Sequence, residues 1–209
     1  PFDVEGVELG HREERCSFES IIQKYGLKEP GLLRLAKIVH AADVAEDIDQ
    51  DPIARGLEFL RRDQKPCGAW YGRWGVNYIY GTWQVLRGMR ALKWNMQEEW
   101  LQRGKAWLES VQHEDGGWGE RCNTYDDPVF KGQGPSTASQ TAWAVMGLCA
   151  FDDPQRPSLK RGIEYLIRTQ NAEGSWTEDE ITGTGFPRVF YLKYDMYRNS
   201  WPLLALATY

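Results

Sequence analysis

The sequence predicts an all-α protein assembled from helical hairpins. The main observation is a repeat. The string Gln-x-x-x-Gly-x-Trp occurs three times, each time at the end of the same helical lead-in: RGLEFLRRDQKPCGAW (Arg55 to Trp70), RGKAWLESVQHEDGGW (Arg103 to Trp118) and RGIEYLIRTQNAEGSW (Arg161 to Trp176). The tryptophans are 48 and then 58 residues apart, a period that belongs to arrays of helical units. In addition, from Pro52 onward helix-periodic segments alternate with turns rich in Gly, Asp, Asn and Pro, and few windows alternate as strands do.

Residues 1–10 read as an extended acidic entry. Ser17 to Tyr25 forms a short helix with Phe18, Ile21, Ile22 and Tyr25 on one face, stopped by Gly26. Leu32 to Ala42 is a second amphipathic helix carrying Leu33, Leu35, Ala36, Ile38 and Val39. The polar stretch AEDIDQDP, Ala45 to Pro52, is a linker and candidate boundary. Further helices are expected at 53–63, 79–93, 97–111, 137–150, 157–168 and 188–207. Ser136, Ser139 and Gln140 suit an N-terminal cap on the helix carrying Trp143. In the last helix Pro187 fits the first helical position. Phe190, Tyr194, Tyr197 and Trp201 then fall at steps of 4, 3 and 4 on one face.

Each residue type of the repeat has a physical task. A helix leaves four N–H and four C=O groups unpaired at its ends. A glutamine at the end of one helix can bond those groups on its neighbour. Tryptophan packs a large apolar face there and keeps one N–H donor, and glycine permits the tight turn. The expectation is that the repeats are scaffold.

With 209 residues the chain holds one domain, or one domain plus a fragment. Composition is uneven along it. All ten tryptophans lie between Trp70 and Trp201, and residues 1–54 carry 12 acidic and 6 basic side chains against 18 and 19 in the remainder. The near-neutral remainder has no electrostatic footprint for nucleic acid. Cys16, Cys67, Cys122 and Cys149 lie far apart without a Cys-x-x-Cys pair, which favours reduced thiols. No apolar run is long enough to span a bilayer. The chain opens at Pro1 without methionine, and further upstream sequence is expected.

The strings WYGRWGVNYIYGTWQVLR (Trp70 to Arg87), GGWGERCNTYDDPVFKGQG, STASQTAWAVMGL and GTGFPRVFYLKYDMYRNSWPLLAL (Gly183 to Leu206), taken with the three repeats, resemble the C-terminal part of the squalene–hopene cyclase and oxidosqualene cyclase family. The resemblance runs from about Arg55 to Tyr209. It implies a partial α/α barrel (residues 55–209) preceded by a short helical segment (1–54), a cofactor-free carbocation cyclisation, and a squalene-like C30 polyprene as substrate. Trp74 and Tyr80 match the family's cavity-lining aromatics, as do Phe186, Phe190, Tyr194 and Tyr197. The two phenylalanines correspond to rings that steady cations late in ring formation. An aromatic face offers π density without a nucleophilic lone pair and attracts a cation by roughly 0.5–2 kcal/mol per ring. Several fixed rings give preorganised stabilisation and exclude quenching water.

The chain also departs from that family. Protonation of an alkene needs a strong acid, which the family supplies from an Asp-x-Asp-Asp motif helped by a histidine. Neither has a counterpart here: Asp47-Ile48-Asp49-Gln50-Asp51 lacks the adjacent pair and sits too close to Trp70, and His113 falls in a repeat turn. The expectation is therefore that this chain alone does not cyclise, and that it requires the missing N-terminal cyclase portion. Residues 1–54 resemble instead a fragment of the chromate-resistance regulatory family, through PFDVEGVELGH, ERCSFES, YGL and RLAKIVHAAD, with His11, Cys16, Glu19, His40 and Asp43 as candidate ligands for a metal or oxyanion.

Tyr125-Asp126-Asp127-Pro128 and Asp152-Asp153-Pro154 read as turns, and Glu178-Asp179-Glu180 as a charged loop. No cofactor and no resident metal are expected. The expected location is cytoplasmic, with peripheral seating on the inner membrane as the family's mode, and a homodimer is a further expectation. The alternative to a cyclase portion is a non-catalytic helical-repeat module that binds lipid or a protein partner. A zinc-dependent prenyltransferase-like barrel shares the hairpin plan but needs a histidine ligand, and none follows His113.

Overall fold

The computed structural model describes residues 17–43 and 50–209, and divides the chain into two compact units, Pro1–Arg62 and Asp63–Tyr209. In the first unit α1 (Ser17–Tyr25) packs against α2 (Pro30–Asp43), and α3 (Gln50–Asp63) begins inside the stretch expected to be a linker. Of the candidate ligands there, His11 and Cys16 lie outside the described residues, as do the side chains of His40 and Asp43.

The second unit is built around one apolar helix. It contains α4 (Tyr78–Ala91), α5 (Glu99–Ser110), α6 (Ala138–Leu148), α7 (Pro157–Thr169) and α8 (Tyr197–Thr208), with 3-10 turns at Cys122–Tyr125, Pro128–Phe130 and Cys149–Phe151. All eleven residues of α6 are buried, and it packs against α4, α5, α7 and α8. A helix covered on every side needs apolar or small residues all round, and AWAVMGL supplies them. Its N-cap is Thr137, whose side chain accepts from the Gln140 N–H, in place of the serines that the sequence favoured.

The repeats act as fasteners between successive helices. Gln64 Nε2 donates to Gly68 O across its own turn (2.8 Å) and to Trp100 O on α5 (2.6 Å), while Arg103 donates to Gln64 Oε1. Gln112 does the same one repeat later, donating to Gly116 O and Ser158 O (both 2.8 Å) and accepting from Arg161. Trp118 and Trp176 donate their indole N–H to Leu108 O and Leu166 O, ten residues back. The leading glycine of the next repeat makes room for the indole. A Cβ on Gly104 would meet Trp70 Cζ3 at 2.7 Å, and one on Gly162 would meet Trp118 Cζ3 at 2.8 Å.

One expected helix is corrected. Residues 188–196 are not helical. Gly183–Phe186 (β1) and Phe190–Leu192 (β2) pair as an antiparallel hairpin, and α8 starts only at Tyr197. Pro187 serves the hairpin turn: Val189 N–H donates to Phe186 O (3.0 Å) and Arg188 has φ +67°. The fixed φ of proline suits the second position of such a turn as well as the first of a helix. Thr184, Val189, Phe190 and Tyr191 then favour the pleated surface. The 4-step from Tyr197 to Trp201 survives on α8, whereas Phe190 and Tyr194 precede it.

Candidate functional site: an aromatic wall

The site is built on two segments far apart in sequence. Residues 74–76 lie alongside 182–184: Gly75 bridges Gly183, Val76 N–H donates to Thr182 O, and Thr184 N–H donates to Trp74 O, both at 3.0 Å. Small residues at the seam let rings lie flat on the backbone. A Cβ on Gly75 would enter the Tyr80 ring, one on Gly183 would meet the Tyr194 ring at 2.5 Å, and one on Gly185 would enter the Phe190 ring.

Other residues hold this seam. Tyr125 OH donates to Gly75 O (2.9 Å) and Arg73 O (3.3 Å). Gln140 Nε2 donates to Val76 O (2.8 Å) and Glu120 O (3.0 Å), while its Oε1 accepts from Glu120 N–H (2.9 Å). Asn77 Oδ1 accepts from Gly72 N–H. Arg188 Nε, in the hairpin turn, donates to Tyr125 O (2.8 Å).

The six sequence-predicted residues fall into three groups. Tyr80 and Tyr197 both pack on the fully buried Trp143, with centroids 4.9 Å and 5.9 Å away and nearly perpendicular planes, and Tyr194 tilts against Tyr197 at 4.7 Å. Phe186 and Phe190 form an edge-to-face pair at 5.7 Å. Trp74 joins through the backbone seam, and its ring is stacked on the guanidinium of Arg73, 5.2 Å from the centroid. Trp74, Phe186, Phe190 and Tyr194 are exposed, at 51%, 51%, 44% and 39%, whereas Tyr80 and Tyr197 are half-buried. Burial, followed by the neighbouring Tyr80 and Tyr194, pushes the Tyr197 hydroxyl above the usual tyrosine range, so it stays a neutral phenol and offers no phenolate to a cation. Behind the wall, Trp83, Trp143 and Trp201 stack and cross at 5.1–6.3 Å. Among the described residues their buried indole N–H groups have no oxygen or nitrogen acceptor, and the surrounding π faces are the weak acceptors that remain.

Two carboxylates are buried where the sequence did not lead us to expect it. Glu120 Oε2 accepts from the N–H groups of Asn77 (3.3 Å), Tyr78 (3.0 Å) and Ile79 (3.1 Å), the N-terminus of α4. Burial pushes its carboxyl up to about 7 against those hydrogen bonds. Glu178, expected in a charged loop, is buried there and accepts from Ser139 N–H (2.8 Å) and Oγ (2.9 Å) at the start of α6; burial raises its carboxyl too. Each stands two residues after a repeat tryptophan, Trp118 or Trp176. Extending the repeat alignment by two positions is the signal that finds them. The Asp126–Asp127 pair is a turn as expected, with Asp127 accepting from Val129 N–H. His113 Nδ1 lies 2.8 Å from Ser136 Oγ. Among the described residues no three His, Cys, Asp or Glu side chains converge on a metal position.

Comparison with known proteins places the chain among relatives. A family model described as the squalene–hopene cyclase C-terminal domain matches residues 34–209, and one described as the ChrB C-terminal domain matches residues 1–65. The chain is 48% identical over 159 residues to a squalene–hopene cyclase of Bradyrhizobium diazoefficiens, covering 75% of this chain and 24% of that protein. It is 49% identical to the squalene–hopene cyclase of Alicyclobacillus acidocaldarius (75% and 25%) and 46% identical to a dammaradiene synthase of Dryopteris crassirhizoma (80% and 26%). The chain thus spans about a quarter of the length of these relatives. Among solved structures, a protein from Actinoplanes matches with a TM-score of 0.55 at 17% identity, over 83% of this chain and 54% of that one. A possible member of the GH105 family from Salmonella enterica matches with a TM-score of 0.51 at 16% identity, over 92% and 53%. At those identities the likeness is one of fold.

Proposed function

Since the chain belongs to the squalene–hopene cyclase C-terminal domain family, we propose that it supplies one aromatic wall of a triterpene-cyclising cavity for a squalene-like C30 polyprene. The observation that carries this reading is the hydrogen-bonded seam between residues 74–76 and 182–184. That seam joins the backbone that carries Trp74 to the hairpin that carries Phe186 and Phe190, and the rings of Trp74, Phe186, Phe190 and Tyr194 are exposed. In this role Phe186 and Phe190 present π density to a late cation, and Trp74, Tyr80, Tyr194 and Tyr197 shape the wall around it. Each ring attracts positive charge by about 0.5–2 kcal/mol and has no nucleophile with which to trap it. Rigid placement removes the cost of reorganising a solvent shell around a moving charge.

The sequence brings no Asp-x-Asp-Asp acid to protonate an alkene, so the proposal assigns protonation to residues outside this chain. A cyclase portion carrying that acid completes the cavity. No helix among the described residues is long and apolar enough to cross a membrane, and delivery of a bilayer-dissolved substrate fits peripheral seating on the leaflet surface.

The test is a graft. Residues 55–209 replace the matching segment of a full-length bacterial relative, and products from squalene are separated by chromatography. The graft is expected to form a pentacyclic product, and Phe186→Ala and Phe190→Ala in it to release products with fewer rings. A folded graft without cyclisation, or an unchanged product pattern in both variants, overturns the assignment. The 209-residue chain alone is expected to leave squalene unchanged; hopene from it overturns the placement of the acid elsewhere.

A further inference from the structure

The tip of the β1–β2 hairpin has a backbone conformation that its sequence does not favour. Phe186 O accepts from Val189 N–H at 3.0 Å, Pro187 holds the second position of that turn, and Arg188 holds the third with φ +67°. A proline-led turn with left-handed φ at its third position belongs to glycine or asparagine, because a Cβ there is pressed against the following carbonyl oxygen. Among the described residues two other side chains take a left-handed φ, and both have a local reason. Lys93 (φ +55°) lies just past the end of α4, and Asp152 (φ +48°) caps the 3-10 turn at Cys149–Phe151. A left-handed residue is the usual exit from a helical C-terminus. Arg188 ends no helix. Strain kept at such a position points to a task for the side chain.

Arg188 N–H donates to Tyr191 Oη (3.2 Å), and Arg188 Nε donates to Tyr125 O (2.8 Å) and stands 3.5 Å from Asp126 Oδ1. The Tyr191 ring stacks on the Tyr125 ring, with centroids 5.8 Å apart and planes at 28°. Tyr125 is the buried partner of both. Its hydroxyl, at the other end, donates to Gly75 O (2.9 Å) and Arg73 O (3.3 Å) on either side of Trp74. One residue thus meets the hairpin tip with its carbonyl and ring, and the Trp74 loop with its hydroxyl. The hairpin needs that anchor. Its strands are four and three residues long, its register breaks between Thr184 and Phe186, and the seam with residues 74–76 reaches only to Thr184. Thr184 Oγ1 donates to Phe190 O (2.9 Å) across the break, which ties strand to strand but not the tip to its surroundings. Two short strands with an interrupted ladder do not hold a tip by themselves, and Phe186, Val189 and Phe190 are exposed there. The charge-assisted bond from Arg188 to Tyr125 O is the firm contact. The Asp126 pair is exposed on both sides and adds little.

We propose that Arg188 is a positioning residue: it latches the hairpin tip onto Tyr125 and so fixes the Phe186–Phe190 pair relative to Trp74. The role of those rings rests on the wall reading; the latch itself rests on the hydrogen bonds. Arg188 acts through Tyr125 and touches no substrate. A π face attracts a cation only within about 6 Å of the ring centroid, so a tip that swings leaves the late cation without its ring. A C–H bond beside the cationic carbon then gives up its proton to water, and the product is an alkene with fewer rings.

Two variants separate the latch from the turn. Arg188→Gly removes the side chain and relaxes the backbone; Arg188→Ala removes the latch and keeps a Cβ in the left-handed position. Amide exchange in the 209-residue chain reads the latch without any activity. For a surface side chain in an awkward turn, glycine slows exchange over residues 184–192. The latch requires the opposite sign. Exchange there is expected to quicken about three- to tenfold in Arg188→Gly, and by more in Arg188→Ala, while the Tm of Arg188→Gly stays within about 2 °C of the wild type. Slower or unchanged exchange in Arg188→Gly overturns the proposal, as does a rise spread over all the helices with a Tm lowered by more than about 5 °C. The graft described above then reads positioning, through the product pattern from squalene at equal conversion, which a mere loss of folded protein does not move. Both variants are expected to raise the share of products with fewer rings by roughly threefold or more. An unchanged pattern in a graft where Phe190→Ala shifts it overturns the positioning role. A graft that cyclises nothing overturns the wall reading instead, and the exchange rates then decide the latch alone.

Discussion

Glu120 and Gln140 hold the wall in place without being part of it. One Glu120 oxygen serves three N–H groups at the head of α4, the helix that carries Tyr80, and its other oxygen is buried without a partner. Burial dominates, and the carboxyl rises from 4.5 to about 7. Between those two pH values the folded state holds a proton that the unfolded chain has lost, so this site's contribution is full below 4.5 and is lost as pH rises through 7. Glu120→Gln keeps an acceptor for the three N–H groups without the charge. Urea titrations across that window are expected to show a flatter stability profile for this variant than for the wild type. Glu120→Ala leaves the helix head unpaired in a dry site and is expected to cost about 2–3 kcal/mol in the same titration. Tyr125→Phe, which removes the hydroxyl that donates to Gly75 O and Arg73 O, is expected to cost about 1–2 kcal/mol and to loosen the Trp74 loop, read as faster amide exchange over residues 72–76. All three residues were illegible as functional in the sequence, because a lone Glu, Gln or Tyr acquires meaning only from what it faces.

At the scale of elements, glycine separates docked from open surfaces. Gly162 and Gly56 occupy the same repeat position, yet a Cβ on Gly162 would meet Trp118 and Val145, both at 2.8 Å, while one on Gly56 meets nothing. Gly162→Ala is expected to destabilise by about 1–3 kcal/mol through overpacking. Gly56→Ala is expected to stabilise α3 by about 0.5–1 kcal/mol, since alanine loses less entropy in a helix. Thermal melts of the two variants against the wild type read both signs. The hairpin follows similar logic: a Cβ on Gly185 enters the Phe190 ring, so Gly185→Ala is expected to displace that ring and, in the graft, to mimic Phe190→Ala. The helices α4, α5, α6 and α7 were legible to within two residues of their ends, because their apolar period spans several turns. The hairpin was not, because Pro187 and the 4-3-4 aromatic spacing satisfy a helix as well as a turn followed by a strand. Only pairing between residues 74–76 and 182–184, more than a hundred residues apart, breaks that tie.

At the scale of the molecule, the second unit is a chain of fastened hairpins around α6 that leaves Trp74, Phe186, Phe190 and Tyr194 exposed and, among the described residues, no neighbouring helix step seated on the Gly174 turn. The chain spans about a quarter of the length of its cyclase relatives. By itself the sequence determined the repeat, the helical class and the residue types of the wall. Those signals are local: a period, a spacing, a ring at a position. Tertiary structure alone decided that Glu178 is buried at a helix head, that Tyr194 leans on Tyr197 ahead of α8, and that the backbone at 74–76 pairs with that at 182–184. Burial of charge and backbone pairing across a long loop depend on which surfaces meet, and that is settled when the helices pack.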